Sequence, residues 1–234
     1  MKTPDLIKLT FFILLFFTLT VIPACHDDDD DVVTVTDYDG NTYEAVTIGS
    51  QTWLRTNLKV THYRNGDGIS KRDRAHWDPN STEGAYADYE DDTTNVALYG
   101  HLYNWYAVAD SRGLAPAGYH VASDEDWREL GDFLGGDTIA GGKLKETGTA
   151  HWMTPNEGAT DEVDFTGLPG GERVVSLTYD DGKGTLASFW TSTSSVQYPQ
   201  LASFRGLGFD IAEIYGRDDA AAKSGGFSVR CVKD

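Results

Sequence analysis

ALYGHLYNWYAVADSRGLAPAGYHVASDEDWREL, Ala97 to Leu130, is the one stretch of this chain in which two helical apolar patterns follow each other closely. Leu98, Leu102, Trp105, Tyr106 and Ala109 recur at i, i+4, i+7, i+8 and i+11, a single stripe on the 3.6-residue period, so the spacing predicts an amphipathic helix with an aromatic face. Gly113, Pro116 and Gly118 break it. Ser123 stands three residues before Asp126, where its hydroxyl can cap a new helix starting at about Asp124 while the acid faces the helix N-terminus. Trp127, Leu130, Phe133 and Leu134 form the stripe of this second helix, and Gly135-Gly136 supplies its stop. Aromatic stripes at helical spacing pack far more often than they bind, so Trp105 and Trp127 are expected in the core.

Around this pair the chain reads as strand and loop. Tyr43 to Ile48 and Gln51 to Leu54 are two short strands joined by Gly49-Ser50, a two-residue hairpin signal. From Thr61 to Asn95 the sequence is polar and rich in turn residues, and Trp77, Tyr86 and Tyr89 within it predict a long ordered loop. Residues 140–148 and 151–158 form a second Gly-punctuated loop region. Strand signals return over Glu162 to Leu168, Arg173 to Tyr179 and Ala187 to Ser194, and Leu201 to Tyr215 looks like a hairpin. In the closing segment Phe227, Val229 and Cys231 alternate onto one face, as a half-buried strand requires.

The chain has 234 residues, 40% apolar and 12% aromatic, enough for a sizeable core. Its front end differs from the rest. Lys2 and Lys8 precede an apolar run from Leu9 to Ile22, short for a membrane span and right for a signal segment. The run ends in Ile22-Pro23-Ala24-Cys25, which resembles the lipobox at which bacterial lipoprotein signals are cleaved and the Cys acylated. Residues 1–24 are therefore expected to be a signal peptide, Cys25 the lipid attachment site, and residues 25–36 a tether carrying the run Asp27 to Asp31. An acidic patch behind the lipidated Cys resembles the surface-export signal of Bacteroidetes lipoproteins, so an outward-facing outer-membrane location is expected. Cleavage would remove Lys2, Lys8 and Asp5, taking 19 basic and 37 acidic residues to 17 and 36, a net charge of −19. So acidic a field repels polynucleotides, and no nucleic-acid partner is expected. With Cys25 acylated, Cys231 has no partner for an intramolecular disulfide.

Six blocks then stand in order: Val46 to Leu58 (VTIGSQTWLRTNL), Leu102 to Val108 (LYNWYAV), Gly118 to Val121 before Ser123 to Trp127, Gly141 to Gly148 (GGKLKETG), Phe165 to Gly171 (FTGLPGG) and Gly226 to Val232 (GFSVRCV). Together they resemble the Fibrobacter succinogenes major paralogous domain over roughly 37–233. The resemblance implies an α+β, C-type-lectin-like fold, with two helices against a twisted antiparallel sheet and long loops. It implies a lipid-anchored or secreted protein, and no defined activity. Two departures matter. The disulfides that often staple lectin-like folds have no partner cysteines here. The Glu-Pro-Asn, Gln-Pro-Asp and Trp-Asn-Asp triplets of calcium-dependent sugar binding are missing, so that chemistry does not carry over.

The same fold resembles that of formylglycine-generating enzymes and iron-dependent sulfoxide synthases, which use cysteines and histidines. A cysteine-pair mechanism fails on count, and no two histidines have the i, i+4 spacing of a helical metal site. His120, just before the helix cap, reads as a structural histidine. Asp88, Glu90, Asp91 and Asp92 put hard oxygen ligands into one short loop, a candidate calcium site without the EF-hand pattern, set against a merely solvated acidic loop. No other cofactor is indicated and no catalytic residue is assigned. Three readings stay open: a binding module for a glycan or surface protein, an enzyme with a cryptic metal or acid site, and a structural subunit of an envelope complex. For the first, Trp77, Tyr86, Tyr89, Trp152, Asn156 and Glu157 are the candidate ligand-binding residues. They combine ring faces for sugar C–H surfaces with polar groups for hydroxyls, on loops expected to meet.

Overall fold

The computed structural model describes residues 33–173, 182–216 and 221–234. The expected signal segment, Cys25, the acidic run and most of the strand expected over Arg173 to Tyr179 lie outside the described residues. The described chain is mixed α+β. No described helix is long and apolar enough to cross a membrane.

The hairpin forms where its turn signal places it. β1 (Thr34–Thr36), β2 (Thr42–Ile48) and β3 (Gln51–Leu54) run antiparallel, with Val46 opposite Trp53 and Ile48 opposite Gln51 across the Gly49-Ser50 turn. The second sheet is built from β4 (Ser70–Lys71), β5 (Ala85–Ala87), β6 (Leu102–Asn104) and a later strand, β11 (Gly226–Phe227), in the order β11-β6-β5-β4. β7 (Tyr119–Val121) and β12 (Cys231–Lys233) complete the first sheet in the order β1-β2-β3-β12-β7, so the last strand in the chain lies inside it. β8 (Leu186–Ser194), β9 (Leu201–Gly208) and β10 (Ala221–Ala222) make a three-stranded antiparallel sheet, and Tyr215 pairs back onto Gly206.

The continuous helix expected from Leu98 to Ala109 is replaced by three short pieces. α1 (Val96–Tyr99) is one turn, β6 follows, and α2 (Trp105–Val108) is another turn. Gly100 is the cause, since its φ of 72° and ψ of −162° lie outside the helical region. Beyond it the backbone of Tyr103 pairs with both Tyr86 and Phe227, so the sheet takes the groups a helix would have satisfied. Asn104 then restarts a helix as its N-cap, its Oδ1 accepting the Ala107 N–H at 3.0 Å. Trp105 is buried as expected, but Leu98 is 39% exposed.

The second helix matches its reading. α3 (Asp124–Phe133) opens on a capping box: Ser123 Oγ accepts the Asp126 N–H at 3.2 Å, and Asp126 Oδ2 accepts the Ser123 N–H at 2.7 Å. Trp127, Leu130 and Leu134 lie at i, i+3 and i+7 and are buried. Phe133 falls about 120° from Trp127 on the wheel and stands exposed over the Gly49 turn. After Gly135-Gly136 the chain re-enters a helix, α4 (Asp137–Leu144), where a loop is expected. Its glycines 141 and 142 let α4 lie flush on the backbone of residues 213 and 158, a contact that a Cβ would block. The strand expected over Glu162 to Leu168 is a turn instead: Asp164 and Thr166 have φ near 55° and 50°, and Asp161 accepts the N–H and hydroxyl of Thr166.

Two apolar clusters fill the interior. One contains Tyr43, Leu58, Tyr103, Trp190, Phe227 and Cys231, the other Trp53, Trp127, Trp152, Phe165 and Phe189. In the second, Trp53 and Trp127 meet at 5.2 Å and 66°, an edge-to-face contact. Phe227, Val229 and Cys231 are all buried, as their alternation predicts, and burial pushes the Cys231 thiol pKa well up.

Candidate functional site

Trp77 is the one ring of the expected platform that stays accessible. Arg74–His76 is a single 3-10 turn capped by Asp73, whose Oδ1 accepts the His76 N–H at 3.0 Å, and it carries Trp77 out at its C-terminal end. The indole Nε1–H donates to Ser224 O at 2.8 Å, and the buried Arg173 guanidinium lies 5.5 Å from the ring centroid. The half-buried ring is thereby fixed in orientation. It forms one wall of a groove of about 430 Å³ whose other walls include Arg72, Asp78, Asn80, Glu83 and Asn104. The floor is rigid because Asn104, 4% exposed, bonds the neighbouring strand as well as its own helix. Its Nδ2 donates to Glu83 O at 2.8 Å and its Oδ1 accepts the Ala85 N–H at 2.9 Å. Arg72 reaches to within 3.8 Å of Glu83 across the rim.

The other candidate rings are not on this surface. Trp152 is 1% exposed and donates its indole N–H to Gly167 O at 2.9 Å; Tyr89 is 1% and Tyr86 8% exposed. Asn156 is buried too, its amide donating to Glu146 O at 2.8 Å and Gly148 O at 2.7 Å. These side chains pin their own loops to the domain, because a large ring or amide in a long loop is the available means of anchoring it. Glu157 is exposed, but no residue of 151–161 lines the Trp77 groove. The two loops expected to meet therefore do not build one platform.

The acidic loop is likewise dispersed. Asp88 is buried, with Oδ2 2.5 Å from Lys71 Nζ and Oδ1 2.9 Å from His101 Nδ1. Glu90 pairs with Lys183 at 3.0 Å, Asp91 with Arg173 at 2.6 Å, and Asp92 accepts the Thr94 N–H and hydroxyl. Each carboxylate is drawn to a different partner, so the four do not converge as a calcium cage would require. Among the described residues no group of three or more His, Cys, Asp or Glu side chains is placed to hold a metal ion. Each of the five described histidines instead lies against a carboxylate. His62 meets Asp39, His76 meets Asp73, His101 meets Asp88, His120 meets Asp126 and Asp234, and His151 meets Glu146. Burial pushes the His101 pKa down, with the Asp88 carboxylate opposing.

Sequence reasoning missed Arg72, Glu83 and Asn104. Arg72 and Glu83 sit in a polar stretch with no period to single them out. Asn104 lies inside an apparent helical stripe, where the Asn-x-x-Ala capping geometry is hidden.

A second cleft of about 420 Å³ runs between β1, β2 and α1, with Arg55 and Lys59 in its walls. Arg55 is already bonded to Glu44 at 2.9 Å and to Asp164 O at 3.0 Å, and no side-chain ring of Trp or Tyr lines this cleft.

In comparison with known proteins, the family model described as the Fibrobacter succinogenes major domain matches residues 46–233, more than half of the chain. No curated protein and no solved structure matches.

Proposed function

This chain belongs to the Fibrobacter succinogenes major domain family, and from that premise we propose that it is a non-catalytic recognition module that binds a neutral glycan in the groove around Trp77. On this proposal Cys25 carries the lipid, the acidic run behind it is a tether, and the domain faces outward from the outer membrane. The scaffold is C-type-lectin-like, a reading supported by β1 and β12 sharing one sheet.

One observation carries the binding reading: a Trp ring locked by Ser224 and Arg173 stands beside an amide, carboxylates and a guanidinium on a rigid floor. Such a ring covers the C–H face of a sugar while the polar groups bond its hydroxyls, and pre-organisation lowers the entropic cost of binding. Binding is preferred to catalysis because the titratable groups are already engaged. His76, in the groove wall, is held by Asp73 at 2.6 Å, and the Asp88–His101 pair is buried. Recognition is direct on this proposal, without calcium, because the acidic loop commits its carboxylates elsewhere.

The test is a glycan array probed with the full chain and with Trp77→Ala, each with calcium and with chelator. A neutral glycan should be captured, and Trp77→Ala should weaken capture per folded molecule at least tenfold, beyond whatever stability is lost with its Ser224 and Arg173 contacts. Capture of no glycan, capture indifferent to Trp77, or capture of a surface protein instead would overturn the reading. Loss of capture in chelator alone would overturn its calcium-free form.

A further inference from the structure

On the other side of the rim residues Thr82 and Glu83 lies a second polar cavity of about 530 Å³. Both cavities count Thr82 and Glu83 among their walls, so the two lie side by side with these residues as the divide between them. Each lobe alone exceeds the roughly 300 Å³ at the lower end of small-molecule sites. Together they are far larger than one sugar ring needs.

The second lobe repeats the chemistry of the first. Tyr106, half-buried at the accessible face of α2, lines it as Trp77 lines the other. Asp110 and Arg112 stand beside it in a fixed pair. Arg112 Nη2 donates to Asp110 Oδ2 at 2.7 Å and Nε to Oδ1 at 2.9 Å, and the guanidinium stacks 4.0 Å over the Tyr63 ring. The Arg112 guanidinium holds the Asp110 carboxyl down to about 2, so this acceptor stays ionised at any ordinary pH. The divide is fixed as well. Gly84 packs so closely that a Cβ there would lie 2.1 Å from Tyr63 Oη and 3.0 Å from the Ala107 Cα, and Asn104 holds Glu83 and Ala85 from beneath.

Resting on the glycan-binding reading above, we propose that the site takes an extended oligosaccharide across two subsites, one at Trp77 and one at Tyr106, with Glu83 between them. A chain ligand gains contacts in the second lobe only once it is long enough to cross the divide. Affinity must then depend on length, in the manner of linked binding events.

The test uses ladders of neutral cello-, xylo-, manno- and laminari-oligosaccharides of two to eight units, titrated calorimetrically against the full chain. Affinity should climb at least tenfold from the shortest to the longest member of the bound class. Tyr106→Ala should flatten that climb and leave the dimer's affinity within about twofold, whereas Trp77→Ala should weaken every length. Should Tyr106→Ala fold poorly, Ser70→Trp offers the same readout, because it plugs the second lobe from an exposed wall position. Affinity independent of length, or a flattening absent in both variants, overturns the two-subsite proposal and leaves the Trp77 reading standing. Failure of every ladder to bind removes both.

Discussion

The side-chain oxygen of Asn57 accepts the Nε–H of Arg230 at 2.6 Å in a place where Asn57 is 5% and Arg230 2% exposed. Among the described residues no carboxylate bonds this guanidinium. Its remaining bonds go to the carbonyls of Leu54, Phe165 and Thr166, and its face lies 4.2 Å from the Phe165 ring. Burial pushes the Arg230 pKa down to about 9. Asn57 in turn donates to Tyr99 O at 2.9 Å and Ser228 Oγ at 3.2 Å, so one pair joins β3, α1, the turn at residues 161–166 and the approach to β12. A buried donor left bare costs about 1–3 kcal/mol, and more when it is charged. Asn57→Ala and Arg230→Met should each exceed about 2 kcal/mol in urea denaturation, and the double variant should fall well short of their sum. Additive losses would show that the pair is not coupled.

Lys145 gives the fold a pH dependence of definite sign. It is fully buried at the end of α4, its Nζ donating to Gly208 O at 2.7 Å and Ile211 O at 2.8 Å, and burial pushes the amine down to about 8 from 10.5. Between those values the unfolded chain keeps a proton that the native state has released. Stability from this group therefore rises with pH across that window. Wild type measured against Lys145→Met at pH 7, 8, 9 and 10 should gain steadily on the variant, and parallel curves would contradict the shift.

Trp152 is a core residue in this structure. Trp152→Ala should cost about 3–5 kcal/mol, the range for removing a buried aromatic side chain, because it empties a fully enclosed position and leaves Gly167 O with the Glu146 N–H as its remaining donor. Glycan capture per folded molecule should stay unchanged. A variant with near-native stability and lost capture would return Trp152 to the site.

The Ser123 capping box should be separable from everything else. Ser123→Ala removes the acceptor for the Asp126 N–H and should cost about 1 kcal/mol. In a domain of this size that lowers the melting midpoint by roughly 2–4 °C. No change in the midpoint would mean that solvent or Asp126 alone satisfies the helix start.

The parts of the fold legible in the sequence were those fixed by local rules. Gly49-Ser50 set a hairpin register, Ser123 and Asp126 set a helix start, and the alternation of Phe227, Val229 and Cys231 set a buried face. Local rules failed where tertiary contacts decided. The Leu98–Ala109 stripe has helical spacing, yet Gly100 turns the chain and β5 and β11 capture Tyr103. The glycines of α4 look like loop residues because nothing local shows that another backbone lies against them. Of the candidate rings only Trp77 reached the surface, since composition shows that a loop holds aromatics but not which way they face. Tyr106 was hidden for the opposite reason: its spacing placed it with the core stripe, and its accessible edge depends on how short α2 turned out to be.

The position of β12 between β3 and β7 has a consequence for the order of assembly. β1, β2 and β3 are translated first, but they cannot be joined to β7 until a segment some 180 residues beyond β3 has been delivered. The same segment carries Arg230 into the carbonyls that wait for it. A chain emerging with its N-terminus leading thus has its first sheet divided until the final strand arrives. Contacts of such long sequence separation make folding slow, so the topology itself defers closure of this sheet until the closing strand has followed.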